Sequence, residues 1–256
     1  MDAYGLLRLQ MEWGADEALD EAPVDRLRAP RPAAAPMVRA PASAQAAPAV
    51  VVPASERARI AAEAADSLEA LRTAIAAFDG CPLRDTATNL VFATGEASAP
   101  ILVIGDPPNA DEDRSGMPFA GKDGQFLDML LGSAGLDRGL LLLTPLLPWR
   151  PPGGRPATTA EVTACLPFLH RLISLVQPAC LVLTGPQAVR AVIGTRPRAS
   201  GAQGGARKVA CPIPGLADPI EALLLPFPAT ALRQPVARRE AWAALRRMRR
   251  VMDTWG

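Results

Sequence analysis

The apolar run Pro100-Ile101-Leu102-Val103-Ile104-Gly105 passes directly into Asp106 and the polar, turn-rich stretch from Pro107 to Asp113. A short run without polar alternation that ends in glycine reads as a strand buried on both faces, the kind found in parallel sheets. In open α/β sheets, ligands bind just beyond the carboxyl ends of such strands. Asp106 therefore stands where a carboxylate is either a site residue or a solvated loop charge, and this segment alone does not decide between them.

The remaining pattern supports the same class. Ile60, Ala64, Leu68, Leu71 and Ile75 recur at helical spacing, predicting one helix from an N-cap at Ser55 up to Phe78. Strand patterns at Ile101 to Ile104, Leu140 to Leu143, Cys180 to Leu183 and Ala222 to Leu225 alternate with helix patterns at Gly124 to Ser133, Thr159 to Val176, Pro186 to Ile193 and Arg238 to Met252. Thr158-Thr159-Ala160-Glu161 supplies a capping box for the third of these predicted segments to be helical. Between Gly194 and Ala222 the sequence reads as a Gly/Arg-rich loop. Such alternation predicts an α/β fold: a three-layer α/β/α sandwich around a mostly parallel sheet.

Three segments follow from composition. Residues 1–28 carry Leu6, Leu7, Leu9, Met11 and Trp13, enough apolar surface for a short helical segment. Residues 29–54 are Ala/Pro-rich and nearly uncharged, which predicts a disordered linker. Residues 55–256 then form the folded domain, with 49% hydrophobic content in the whole chain to supply its core. The net charge of +1 argues against a wholesale polyanion binder, yet it conceals an acidic early cluster (Glu12, Asp16, Glu17, Asp20, Glu21, Asp25) and a late basic one that includes Arg238, Arg239, Arg246, Arg247, Arg249 and Arg250. No uninterrupted apolar stretch of about 18 residues and no basic signal-like start are present, so a cytoplasmic monomer away from membranes is expected. Cys81, Cys165, Cys180 and Cys211 are too widely spaced to suggest a disulfide framework.

The stretch from Gly105 to Gly124, with Met117-Pro118-Phe119-Ala120-Gly121 inside it, resembles the first active-site motif of the iron-sulfur (type-four) uracil-DNA glycosylases. The resemblance continues in order through Thr144 to Arg155, Cys165 to Phe168, Leu183 to Gly185 and Phe227 to Pro235, covering about residues 78 to 252. It implies a DNA-repair hydrolase that breaks the N-glycosidic bond of a base flipped out of DNA.

Site roles carried over from the resemblance are uneven. Asp106 stands for the family's glutamate as catalytic carboxylate, one methylene shorter. Gly105 and Phe119 stand at base-binding positions, with Phe119 as the aromatic shelf. Pro145 stands at the family's uracil-reading Asn, and proline offers neither a side-chain amide nor an N–H. Phe227 stands at the family's motif His and cannot hydrogen-bond a departing base. His170, the lone histidine, lies inside a predicted helix and reads as a surface or capping residue. From charge rather than from the resemblance, Arg150 and Arg233 near the motifs and Arg246 and Arg250 on the Arg-rich final helix are candidate DNA-phosphate contacts.

The family's [4Fe-4S] cluster needs four cysteines, of which only Cys81 and Cys165 match, while Phe78 and Trp149 occupy the other two positions. The expectation is therefore no metal, with aromatic packing in the cluster's place. Cys180 falls in a predicted strand and Cys211 in a distal loop. Two readings stand: a glycosylase-like hydrolase with altered or reduced activity, or a catalytically inactive relative that binds DNA or protein. The N-terminal segment is a candidate for protein binding.

Overall fold

The computed structural model describes residues 52–194 and 208–255, together with Arg8. The chain divides into two units, Met1–Val50 and Val51–Gly256. Apart from Arg8, the helical segment expected in residues 1–28 and the linker as far as Val51 lie outside the described residues.

The second unit opens with helices α1 (Ala54–Glu63) and α2 (Leu68–Ala77) where the apolar spacing predicts one. The break has a physical basis. Ser67 caps α2 by accepting the Ala70 N–H, and the Arg171 guanidinium donates twice to the Ala65 carbonyl, at 2.9 and 2.7 Å. That strong donor pair satisfies a carbonyl which a continuous helix would have consumed. The α1 cap is Pro53 rather than Ser55, and Ile60 points outward, while Ala58 and Ala62 make the buried face.

Strand β1 (Thr94–Gly95) precedes β2 (Ile101–Gly105), which leads to the short helix α3 (Ala110–Ser115) and then α4 (Gly121–Ser133). Next come β3 (Leu142–Pro145), α5 (Thr159–Val176), β4 (Cys180–Thr184) and α6 (Pro186–Ile193). The chain resumes with β5 (Lys208–Cys211) and β6 (Ile220–Leu225), and ends in α7 (Pro228–Arg233) and α8 (Pro235–Trp255). Among the described residues these strands form one sheet of order β1-β3-β2-β4-β6-β5, parallel across β3-β2-β4-β6 and antiparallel at both edges. The region expected to be a Gly/Arg-rich loop thus contains an edge strand. Cys211 ends that strand, buried, rather than lying in a loop.

Helices cover both faces. Leu102, Ile104, Leu142, Leu181 and Leu183 pack toward α1, α2 and α5, whereas Ile101, Val103, Leu143, Cys180 and Val182 pack toward α4 and α8. This is the period-two alternation of strands buried on both sides, and it yields the three-layer sandwich read from the sequence. By length and composition α5 is apolar enough to cross a membrane, but Ala164, Cys165, Phe168, Leu172 and Ile173 face the core.

Phe78 and Trp149 belong to the first core. The Phe78 ring meets Phe168 edge-on at 5.1 Å, lies over Gly80, and carries the Arg57 guanidinium 5.9 Å from its centroid. Both aromatics are buried beside Cys81 and Cys165 in this cluster. Phe78→Ala should therefore lower stability by about 3–5 kcal/mol, as loss of a core aromatic does. Urea unfolding that gives a lower midpoint at unchanged slope checks this.

Candidate functional site

The carboxyl ends of β2, β4 and β6 frame a cleft of about 220 Å³ lined by Gly105, Asp106, Phe119, Phe227, Asn109, Gln187 and the loop residues Pro151, Gly154 and Arg155, among others. The sheet brings its two main side chains together. β2 delivers Asp106 at its end, and α6 starts beside it from neighbouring β4. Oδ1 of Asp106 accepts the backbone N–H groups of Gln187 and Ala188, each at 2.8 Å. Gly185, with φ of 102°, makes this approach possible, because a Cβ there would overlap the Asp106 carboxylate. Burial raises the Asp106 carboxyl above its usual range, while the two N–H groups and Arg190 pull against that shift.

Phe119 forms the opposite wall and is held by its backbone. It adopts φ of 54°, a left-handed conformation uncommon for a bulky residue. The Phe119 N–H donates to Glu112 Oε1 at 2.6 Å, and Arg138 donates to the carbonyls of Pro118 and Phe119 at 2.7 and 3.2 Å. The ring lies over Gly105, where a Cβ would collide with it. Glu112 also accepts the Asn109 N–H at 2.8 Å and completes a capping box for α3. Burial raises the Glu112 carboxyl, and its two backbone donors oppose the rise. Adjacent Asp113 accepts from Thr88 and Asn89, tying that loop to α3.

Across the rim, Arg155 grips Glu161 with two nitrogens at 2.6 and 2.9 Å and holds its carboxyl at about 2. Gln187 Oε1 accepts the Ala157 N–H at 2.9 Å, fastening the 151–158 loop to α6.

Pro145 is buried at the end of β3, paired in register with Gly105, but it lines a small cavity toward Cys165 and Phe168 rather than the cleft. Arg150 is partly buried, and its Nε has no hydrogen-bond partner among the described residues. Arg233, at the end of α7, and Arg246 and Arg250, on α8, are exposed. His170 is half-buried on α5, and desolvation lowers its pKa. Asn109, Glu112, Arg155 and Gln187 were not selected as site residues from sequence. Glu112 falls at a family-like position of the Gly105 to Gly124 motif, and the N-x-x-E spacing of Asn109 and Glu112 also carried the signal of a capping box.

Cys81 and Cys165 are buried in the same cluster, where interaction with the neighbouring thiol lowers the pKa of Cys81 and, together with burial, raises that of Cys165. Among the described residues no group of three or more His, Cys, Asp or Glu converges as metal ligands. Two thiols packed against Phe78 and Trp149 do not fit a four-cysteine iron-sulfur cluster.

Glu112→Gln tests the Phe119 mount. An amide can accept only one of the two backbone N–H groups and would turn its own NH₂ toward the other. A stability loss of about 1–3 kcal/mol is expected in denaturant unfolding, with the fold retained by circular dichroism.

Comparison with known proteins agrees with this architecture. The model of the uracil DNA glycosylase superfamily matches residues 92–246. A type-4 uracil-DNA glycosylase of Pyrobaculum aerophilum is 32% identical over 174 residues, covering 68% of this chain and 88% of that protein. Type-4 uracil-DNA glycosylases of Archaeoglobus fulgidus and Thermotoga maritima are 36% and 34% identical, over 47% and 43% of this chain and 60% and 57% of their own lengths. With its family model, its relatives and its three-layer fold in agreement, the chain belongs to the uracil-DNA glycosylase superfamily.

Proposed function

We propose that the protein is a DNA glycosylase-type hydrolase acting on a damaged base flipped out of DNA, with altered or reduced activity relative to a uracil-specific enzyme. The observation carrying this reading is the pairing of the Asp106 carboxylate with the Phe119 ring across one small cleft. At about 220 Å³ it is smaller than a typical drug-sized pocket of roughly 300–1,000 Å³ and suits one planar heterocycle. In hydrolysis the bond between C1′ and the base nitrogen breaks, water supplies hydroxide to C1′, and the base leaves with the electron pair and gains a proton. Asp106 Oδ1 is engaged by two backbone donors, leaving Oδ2 to orient the water or offset positive charge on the sugar. Phe119 supplies the stacking surface.

A second reading, an inactive relative that binds DNA or protein, is favoured by the apolar wall at Phe227 and by the location of Pro145 outside the cleft. Neither side chain can hydrogen-bond the occupant or stabilise a leaving base. In both DNA-binding readings the exposed Arg233, Arg246 and Arg250 meet phosphate.

The deciding assay incubates the protein with single-stranded and duplex oligonucleotides containing uracil, hypoxanthine or xanthine, followed by alkaline cleavage. Slow excision is expected, reduced at least about 100-fold in Asp106→Ala. Because the carboxyl is raised by burial, activity should fall with decreasing pH sooner than a solvent-exposed aspartate would predict. The stability sign is opposite. Ionising Asp106 costs the folded state more than the unfolded one, so Asp106→Asn should raise Tm near neutral pH, and that gain should fade as pH drops into the carboxylate range. Binding should weaken with salt and with paired Arg246→Glu and Arg250→Glu. Salt-sensitive binding without excision of any substrate would select the inactive relative.

A further inference from the structure

Asn109 and Gln187 line the Asp106 cleft with their amide oxygens already engaged. Asn109 Oδ1 accepts the N–H groups of Asp111 and Glu112 at 2.8 and 3.0 Å. Gln187 Oε1 accepts that of Ala157 at 2.9 Å. These contacts fix the orientation of both amides, since a flipped NH₂ would face backbone N–H donors. Each NH₂ is left without a partner among the described residues. Both residues are also mounted on fixed backbone, Asn109 as the cap of α3 and Gln187 in the first turn of α6.

We propose that the side-chain NH₂ groups of Asn109 and Gln187 read the edge of the base in this cleft, donating to carbonyl acceptors and so selecting a deaminated base over its amino-bearing parent. This deepens the glycosylase reading and rests on it. Two NH₂ donors from residues lining the cleft can donate to a carbonyl oxygen or an unprotonated ring nitrogen of the base. An exocyclic amino group in the same place would set donor against donor, leaving buried polar groups unpaired, which is how polar sites reject near-isosteres.

Both positions allow a nearly isosteric test. Asn109→Asp keeps an N-cap oxygen for α3, and Gln187→Glu keeps an acceptor for Ala157, but each removes the NH₂ donor. Asn109→Ser, a neutral cap whose short hydroxyl is taken up by the α3 backbone, separates loss of the NH₂ from added charge. Affinity is measured for single-stranded oligonucleotides carrying one uracil, hypoxanthine, cytosine, adenine or tetrahydrofuran abasic residue, and each is expressed as a ratio to the abasic strand, which cancels general electrostatic repulsion. Wild-type protein is expected to favour uracil and hypoxanthine over cytosine and adenine. The preference should fall about fivefold for each donor removed, in Asn109→Ser as in Asn109→Asp. Equal wild-type ratios for all four bases, or a preference unchanged in the variants, would overturn the assignment while leaving DNA binding intact. No measurable binding to any oligonucleotide would overturn the assignment and the nucleic-acid reading together.

Discussion

Two backbone N–H groups at the start of α6 holding the carboxylate of Asp106 are the contact around which the site is organised. The contact joins the ends of neighbouring parallel strands, so it depends on the register of β2 with β4 and on a glycine at 185 that leaves room for the side chain. It also resolves an electrostatic conflict. Burial makes the charged form costly, and the N–H pair offsets part of that cost without neutralising the group. A carboxylate held in this way stays in place, with its second oxygen not engaged by these two donors.

Phe119 poses the complementary problem of holding an aromatic ring opposite that carboxylate on a strained backbone. Glu112 and Arg138 solve it from either side, one accepting the Phe119 N–H and the other donating to the Phe119 carbonyl. The acidic pair after Asp106 is therefore divided between two mounting tasks: Glu112 sets Phe119, and Asp113 anchors the 88–89 loop. In the first core cluster, Phe78 and Trp149 pack with Cys81 and Cys165, and aromatic packing holds together a region whose cysteines are too few for a four-cysteine cluster. Apolar burial of this kind stabilises without constraining redox chemistry, at roughly 1.5–3 kcal/mol per large side chain.

What was legible in the sequence follows from periodicity. The run ending at Gly105, the alternation of strands with helices and the Thr158 capping box all depend on local pattern, and they led to the sandwich and to Asp106 at a strand end. The break between α1 and α2 was not legible, because it depends on Arg171, more than a hundred positions away, donating to Ala65. Strand β5 was hidden because an antiparallel edge is specified by its pairing with β6 rather than by its own alternation. Motif order placed Pro145 beside the base, yet burial of the β3 end directs it toward the Cys165 cavity. The amide donors of Asn109 and Gln187 were equally invisible, since their direction is set by which backbone N–H groups their oxygens find.

The central claim is that one extruded base occupies the space between Asp106 and Phe119. A crystal structure with an oligonucleotide carrying a non-hydrolysable 2′-fluoro-deoxyuridine tests it most directly. The account predicts the uracil ring stacked on Phe119, with C1′ near Asp106 Oδ2 and the flanking phosphates outside the cleft. Nucleic acid bound with its bases stacked and the cleft empty, or bound to another face of the domain, would contradict it.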